Sequence, residues 1–287
     1  MRVLALSPGS LQQQLERLPA LAAAADQLDA RPPYRESAGI PESMAELIIP
    51  LQYNDIDLLE EVVSAHAGEA GTLLIEPVVY NCGCITPAAG FLEAARELAD
   101  RYDLVLFFDE VQSFAKASPG GAQQDFGVTP DICTIGKSLG GGLPLSAIAG
   151  RADLMELYAP CGPVAHSGTF NAPLTSILSG LAFVDHIKRP GFWKTINGLG
   201  EVLFGELQQI AARSRVPVVF QHHGSRFGII FGTREAVTNY SQALAHDPQL
   251  LLLDEPTNGL DPKGRRQMLD LVEDLGRTQG KNILLCS

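Results

Sequence analysis

The sequence predicts an α/β protein with a mainly parallel β-sheet and flanking helices. Its central segment begins with an unbroken apolar run at residues 104–108, which ends in Asp109 and Glu110. Runs of this kind are typical of parallel strands buried on both faces. A second short apolar segment, residues 132–135, delivers Lys137 into a glycine-rich turn. Strands of this type alternate with amphipathic helices, which implies right-handed β-α-β crossovers.

The remaining elements follow from local patterns. Residues 3–6 predict a strand, and residues 11–28 carry the leucine periodicity of a helix that Pro19 interrupts. The prolines at 32 and 33 mark a boundary, because they hold the chain extended. Beyond it we expect strands at residues 47–50, 72–75 and 145–149, helices at 55–65, 91–102, 152–158, 172–187 and 193–213, and antiparallel strands at 216–220 and 227–231.

Composition excludes several classes of protein. The 287 residues are 46% hydrophobic and 19% charged, which is typical of a soluble globular chain. The formal net charge of -12 argues against nucleic acid or an anionic membrane surface as the main partner. Five cysteines without paired zinc spacing favour reduced thiols in a cytoplasmic protein. We expect no direct membrane insertion, because no apolar run reaches the length of a membrane span.

Asp109 and Lys137 stand at the carboxyl ends of two predicted strands, which is where open α/β sheets bind ligands. Such a pair suits pyridoxal phosphate (PLP) chemistry. The amine forms a Schiff base with the cofactor aldehyde, and the carboxylate keeps the pyridine nitrogen protonated. Taken as an isolated pair, a solvated loop lysine beside a strand-terminal acid is the commoner arrangement, so the surrounding motifs decide between the two interpretations.

Those motifs resemble the class III, fold-type I PLP aminotransferases, and especially the glutamate-1-semialdehyde aminomutase branch. The similarity runs from about residue 31 to about residue 240. The matching groups are Glu76-Pro77-Val78, Asn81-Cys82-Gly83, Phe108-Asp109-Glu110-Val111, Phe126-Gly127-Val128-Thr129-Pro130-Asp131, Gly136-Lys137-Ser138-Leu139-Gly140-Gly141-Gly142 and Gly168-Thr169-Phe170-Asn171.

The resemblance assigns roles to these residues. It implies that Lys137 is the Schiff-base lysine, that Asp109 pairs with the pyridine nitrogen and that Val111 packs on the ring. Thr169 would bind the cofactor phosphate of the neighbouring subunit in a homodimer, and the backbone at Gly168 suits the same phosphate. The substrate implied is a small amino acid or its keto or aldehyde counterpart. The family's glycine/serine-rich phosphate loop has no counterpart before residue 31, so we expect an incomplete cofactor pocket.

Three further residues are candidates for the pocket. Glu76 also follows a predicted strand, and as a bare residue it is more often an anchor for loop N–H groups than a proton-transfer group. Tyr80 is a possible pocket residue, and Asn81 is expected to stabilise a loop. We predict no metal site, because the adjacent His222 and His223 point to opposite sides of an extended strand.

The segment from about residue 241 changes character and resembles the closing part of an ABC-type ATPase cassette. Residues 250–255 resemble a Walker B strand that ends in Asp254 and Glu255, and residues 258–261 resemble the D-loop. In an intact cassette these two acids handle magnesium and the attacking water. Gly136-Lys137-Ser138 is no Walker A motif, because Asp131 occupies the required upstream glycine position. We therefore expect no ATP or magnesium binding by this chain alone.

The predicted organisation has four parts: a lead-in at residues 1–30, a partial PLP-transferase large domain at 31–214, the start of a small domain at 215–240 and the cassette fragment at 241–287. We expect strands 250–253 and 282–285 to dock on the sheet and complete a single α/β body. PLP-dependent amino-group transfer is the predicted function. An inactive chimera is the alternative, and an ABC-type ATPase is a weaker one.

Overall fold

The computed structural model describes residues 2–5, 40–169, 171–245, 250–254, 266 and 282–286. Six strands form the main sheet: β1 Arg2–Ala5, β2 Ile48–Pro50, β3 Ala70–Ile75, β4 Val105–Asp109, β5 Ile132–Ile135 and β6 Ala147–Gly150. Their spatial order is β2-β1-β3-β4-β5-β6. All neighbours pair in parallel except β5 and β6, which are antiparallel. The predicted mainly parallel sheet is therefore confirmed, with one antiparallel edge strand.

Eight α-helices occur in the described residues. They are α1 Glu42–Ala45, α2 Ile56–Ala65, α3 Phe91–Arg101, α4 Ala122–Phe126, α5 Ala152–Met155, α6 Leu174–Ile187, α7 Phe192–Arg213 and α8 Tyr240–Ala245. The N-terminus of α2 is capped by Asp55, whose side chain accepts a hydrogen bond from the Leu58 N–H at 2.9 Å. This cap satisfies one of the donors that a helix start leaves unpaired. None of the helices in this part of the chain is long and apolar enough to cross a membrane.

The core lies between the central strands and the helices α2 and α3. Leu106 and Phe108 of β4 are fully buried and belong to the same apolar cluster as Leu59 of α2 and Phe91 of α3. Val105 and Phe107, on the opposite face of the strand, are only half-buried. The expectation that this strand is buried on both faces is therefore wrong for one face, because within the described residues the helices α2 and α3 pack against the other.

The strand of the lead-in is part of the main sheet. The strand expected at residues 3–6 is β1, Arg2–Ala5, which lies between β2 and β3 and is parallel to both. The lead-in therefore contributes to the same sheet as the domain predicted at residues 31–214. The helix predicted at residues 11–28 lies outside the described residues.

The last two strands do not join that sheet. β9 Leu250–Asp254 and β10 Asn282–Cys286 pair with each other in a separate two-stranded parallel sheet. Our prediction that they complete one continuous sheet is wrong. The physical reason is that β1 already occupies the position beside β3, and β9 and β10 pair with each other instead.

A β-hairpin at residues 218–231 packs against the core of the main sheet. β7 Val218–His223 and β8 Arg226–Phe231 form the predicted antiparallel pair. Ile230 of this hairpin belongs to the core cluster, and Gly228 lies directly against the backbone of Gly83. A Cβ atom at Gly228 would stand 2.3 Å from the Gly83 carbonyl carbon, so only glycine allows this approach.

Replacing Gly228 with alanine should push the hairpin away from the sheet. We expect Gly228→Ala to lower the free energy of unfolding by about 1–3 kcal/mol in urea titrations, because the contact is with backbone and cannot yield easily. Gly198→Ala in α7 is the matched control, because a Cβ there meets open space. The control should stabilise the chain by roughly 0.5–1 kcal/mol. Equal effects of the two substitutions would show that the close contact is unimportant.

Candidate active site

The carboxyl ends of β3, β4 and β5 form the candidate site. Parallel pairing aligns Ile75 with Phe108 and Asp109 with Thr134. Glu76, Asp109 and Lys137 follow from these strand ends at the same edge of the sheet, as the sequence predicted. The arrangement also has an electrostatic signature, because the pKa of Lys137 responds to the charges of both carboxylates.

Asp109 is held in a fixed orientation. Its Oδ1 atom accepts hydrogen bonds from the Val111 N–H at 3.0 Å and from the Thr134 hydroxyl at 3.3 Å. Neither bond uses Oδ2, so one carboxylate oxygen is left to meet a ligand. Val111 itself is half-buried, and its Cγ1 atom would lie 3.6 Å from a Cβ atom at Gly136, next to the lysine.

Lys137 has a strained backbone. It begins the 3₁₀ turn Lys137–Gly140 with a φ of 46°, in the left-handed region that residues other than glycine rarely adopt. Holding a lysine there costs on the order of 1–2 kcal/mol. Partial burial and the charge of Arg226 lower the pKa of the amine, while Glu76 and Asp109 oppose that shift. Backbone strain and shifted pKa values both cluster at functional sites, and Lys137 combines the two.

Glu76 is the buried acid of the site. Only 8% of the residue is exposed, and its Oε1 atom has no hydrogen-bond partner among the described residues. Burial, followed by the charge of Asp109, raises the pKa of this carboxyl to about 7, although Lys137 opposes the shift. An orphaned buried oxygen fits a site that takes up a polar ligand. Hydrogen bonding from the Tyr80 backbone also opposes this rise in the pKa of Glu76.

Glu110 is a structural acid that the sequence did not identify. It is fully buried and accepts hydrogen bonds from the Ala122 N–H at 2.6 Å, from the Gln123 N–H at 3.2 Å and side chain at 2.9 Å, and from the Ser113 hydroxyl at 3.0 Å. These bonds tie the loop after β4 to the N-terminus of α4. The motif Asp109-Glu110 therefore divides into one acid that faces the site and one that supports it.

The hairpin adds two groups to the site, Arg226 and His223, which sequence reasoning missed or discounted. The guanidinium carbon of Arg226 lies 5.1 Å from the centre of the Tyr80 ring. The Tyr80 hydroxyl and His223 Nδ1 share a hydrogen bond of 2.7 Å, and His223 Nε2 lies 3.6 Å from Asp125 Oδ2. No local motif signals these residues, because the hairpin is distant in sequence from the strands it meets.

Lys116 is a second missed cation. It donates a hydrogen bond to Ser138, next to Lys137. Burial, Arg226 and Lys137 all lower the pKa of this amine. The site therefore gathers three cations beside two carboxylates.

The other predicted site residues fall in different places. Tyr80 is buried beneath Arg226, and Asn81 accepts a hydrogen bond from Gln112 Nε2 at 2.8 Å. Gly168 and Thr169 are exposed, and no hydrogen bond within the described ranges joins Thr169 to Asp109 or Lys137. Their predicted roles stay predictions.

Asp254 ends β9, as predicted, and Glu255 lies outside the described residues. The Walker B roles of both also stay predictions. Among residues that the structure describes, no three His, Cys, Asp or Glu side chains cluster as a metal site.

The fold is an α/β sheet with a lysine and a carboxylate at its carboxyl edge. This combination indicates the class of α/β proteins that bind a ligand at that edge. The family model for class III aminotransferases matches residues 34–248, and the chain belongs to this family. The resemblance inferred from the sequence motifs is thereby confirmed at the level of the family.

Solved structures agree with this assignment. An omega-transaminase from Sphaerobacter thermophilus is 27% identical with a TM-score of 0.70, over 84% of this chain and 56% of its own. A β-phenylalanine aminotransferase from Variovorax paradoxus is 27% identical with a TM-score of 0.67, over 93% and 54%. A glutamate-1-semialdehyde aminomutase from Pseudomonas aeruginosa PAO1 is 21% identical with a TM-score of 0.68, over 86% and 55%.

The aminomutase likeness shows the fold alone, so the predicted branch stays a prediction. The chain spans about half the length of these structures, at 54–56%.

The raised pKa of Glu76 predicts a pH-dependent stability. Because the folded-state pKa of about 7 lies above the usual value of 4.5, the group contributes stability below pH 4.5 that is lost as the pH rises through 7. In the cofactor-free chain, the wild type should lose about 2 kcal/mol more unfolding free energy between pH 5 and pH 8 than Glu76→Gln does. Urea titrations at both pH values measure the difference.

The exposed Glu93 offers a matched control for this substitution. Glu93→Gln should follow the wild type at both pH values. A parallel pH dependence of the wild type and Glu76→Gln would contradict the buried-acid interpretation.

Proposed function

We propose that this chain carries the catalytic centre of PLP-dependent amino-group transfer on a small amino acid or its keto or aldehyde counterpart. The observation that supports it most directly is the pairing of a strained lysine with an oriented carboxylate at adjacent parallel strand ends. Membership of the class III aminotransferase family supports the same chemistry.

The residues present fit the cofactor. Asp109 has one oxygen committed to Val111 and Thr134 and a second available to the pyridine nitrogen. Val111 would pack on the ring, and Lys137 would hold the aldehyde carbon covalently. When bound, PLP supplies an electron sink for the substrate carbanion. Glu76, with its unpartnered oxygen, fits a polar group of the bound ligands.

Lys137 is suited to move a proton. The lowered pKa of its amine increases the neutral fraction near neutral pH, and only the neutral amine attacks an aldehyde or accepts a proton from carbon. The same Nζ atom can then return that proton to a neighbouring carbon. The left-handed backbone conformation of Lys137 fixes the direction in which its side chain leaves the backbone.

We also propose that the functional unit is a homodimer in which Gly168 and Thr169 serve the partner's cofactor phosphate. Both residues are exposed in the single chain. The helix α6 that follows carries exposed leucines at positions 174, 178 and 181, with exposed fractions of 70%, 56% and 57%. These positions share one helix face, and apolar stripes of this kind mark interfaces.

We also propose that the segment from residue 241 derives from an ABC-type ATPase cassette, as its sequence predicts. β9 has the apolar sequence expected of a Walker B strand and ends at Asp254. We propose no ATPase activity for the chain, since a Walker A motif does not occur in its sequence. The alternative of an inactive chimera is the contrary outcome of the labelling experiment below.

Reduction with borohydride tests the covalent role of Lys137. After incubation with PLP and reduction, peptide mass mapping should find the pyridoxyl adduct on Lys137. Lys137→Ala should lose the absorption band of the bound cofactor together with the adduct. The exposed Lys188 provides a matched control, and Lys188→Ala should label as the wild type does. Adducts scattered over surface lysines would contradict the proposed site.

Disrupting the apolar face of α6 tests the dimer. Sedimentation should show a dimer for the wild type and at least a tenfold weaker association for Leu178→Asp, because a buried charge without a partner is strongly unfavourable. Leu47→Asp changes another partly exposed leucine, 41% exposed, and should leave the association unchanged. A monomeric wild type, or equal weakening by both substitutions, would overturn this interface.

A further inference from the structure

The turn that carries Lys137 is strained and has little local restraint. Lys137 has a φ of 46°, a left-handed conformation that a lysine rarely adopts. Gly136 precedes it, and three glycines at residues 140–142 follow, so the chain on both sides has the conformational freedom of glycine. A strained residue keeps such a conformation only when its surroundings hold it there. Contacts from outside the turn must therefore fix Lys137.

Lys116 provides such a contact from the loop after β4. Its side-chain amine donates a hydrogen bond to the hydroxyl group of Ser138, the residue that follows Lys137. In the part of the chain that the structure describes, no other side chain forms a hydrogen bond with a side chain of the turn 137–140. Lys116 is half-buried, so water competes only in part for this bond. The bond therefore ties the residue next to the candidate Schiff-base lysine to a separate loop.

The backbone at Lys116 is itself fixed by two other elements. The N–H of Ser225, in the turn between β7 and β8, donates to the Lys116 carbonyl at 2.8 Å. Asn197 of α7 donates through Nδ2 to the next carbonyl, that of Ala117, at 3.1 Å. The hairpin turn lies so close that a Cβ atom at Gly224 would stand 2.3 Å from the Lys116 carbonyl oxygen. The side chain of Lys116 therefore extends from an anchored segment.

We propose that Lys116 is a positioning residue, which holds the turn 137–140 through Ser138 and so directs the Lys137 side chain into the site. The role of Lys137 itself rests on the proposed function. Lysine suits this task, because its long stem reaches across from the loop and its ammonium group makes a charge-assisted hydrogen bond to the hydroxyl. The hairpin turn, Lys116, Ser138 and Lys137 thus form one chain of contacts, in which Lys116 acts on Lys137 through Ser138.

Competitive acetylation of the cofactor-free full chain tests this role. Acetic anhydride reacts with the neutral form of each lysine, and peptide mass mapping at a series of pH values gives the apparent pKa of Lys137. Ser138→Ala removes the acceptor and keeps the charges of both lysines. It should raise the apparent pKa of Lys137 toward the usual 10.5, because a released turn lets the amine reach water. The neutral fraction of this amine near neutral pH should fall about threefold to tenfold.

Lys116→Met should raise the apparent pKa of Lys137 at least as much, since it removes the bond and a neighbouring positive charge. The double variant should match Lys116→Met, because the bond is already lost. Lys116→Arg keeps a charged donor and should retain most of the wild-type behaviour. Lys188→Met is the matched control, because Lys188 is exposed, and it should leave the titration of Lys137 unchanged.

Circular dichroism shows that each variant is folded, and Ser138→Ala serves if Lys116→Met does not fold. An unchanged titration of Lys137 in Ser138→Ala would overturn the proposal. A shift in Lys116→Met alone would contradict it too, because the cation would then act through its charge and not through the bond.

The reaction of Lys137 with PLP is measured separately. Borohydride trapping should show that Ser138→Ala and Lys116→Met form the adduct at Lys137 about tenfold more slowly than the wild type, because the amine is no longer directed at the aldehyde. Adduct formation at the wild-type rate in both variants would overturn the positioning role. A wild type in which PLP does not label Lys137, while the acetylation of Lys137 still depends on Ser138, would contradict the proposed amino-group transfer and leave the positioning role standing.

Discussion

Parallel pairing of β4 with β3 and β5 is the constraint on which the rest of the site depends. In a parallel sheet all strands end at the same edge, so residues that follow three separate strands are brought together by backbone hydrogen bonds alone. Glu76, Asp109 and Lys137 meet for this reason. The charge of Asp109 raises the pKa of Glu76, and the two carboxylates act to raise that of Lys137, because the sheet register places the three groups at one edge.

Acidic side chains have different roles according to what surrounds them. Burial alone would raise the pKa of Asp131, but the Leu106 N–H at 2.8 Å and the guanidinium groups of Arg151 and Arg96, both at 2.9 Å, lower it. Glu110 is satisfied by loop N–H and hydroxyl groups. Glu76 and Asp125 each keep a buried oxygen without a hydrogen-bond partner, and that of Asp125 lies 3.6 Å from His223 Nε2. Within the described residues, Asp131 and Glu110 are therefore satisfied acids that hold the scaffold in place, whereas Glu76 at the carboxyl edge of the sheet is not satisfied.

The hairpin β7–β8 completes the site from a distant part of the chain. Close approach of Gly228 to Gly83 brings the strand against the loop that carries Tyr80. Arg226 then contacts the ring of that tyrosine through a cation–π interaction, and His223 shares a hydrogen bond with its hydroxyl group. A paired strand supports these side chains more rigidly than a loop would, because its backbone is fixed by hydrogen bonds along its length.

Periodicity and local motifs are enough to predict the strand-helix alternation, the apolar segments of β3, β4 and β5, and Asp109 and Lys137 at the strand ends. Which strands pair with one another, and which distant side chains reach the site, depends on tertiary packing. In the folded chain β1 pairs with β3, and β9 and β10 form a sheet separate from the main one. One face of β4 is only half-buried. Tertiary packing also brings Arg226, Lys116 and His223 to the site. Local patterns carry no information about such contacts, because they depend on which segments pack together once the whole chain has folded.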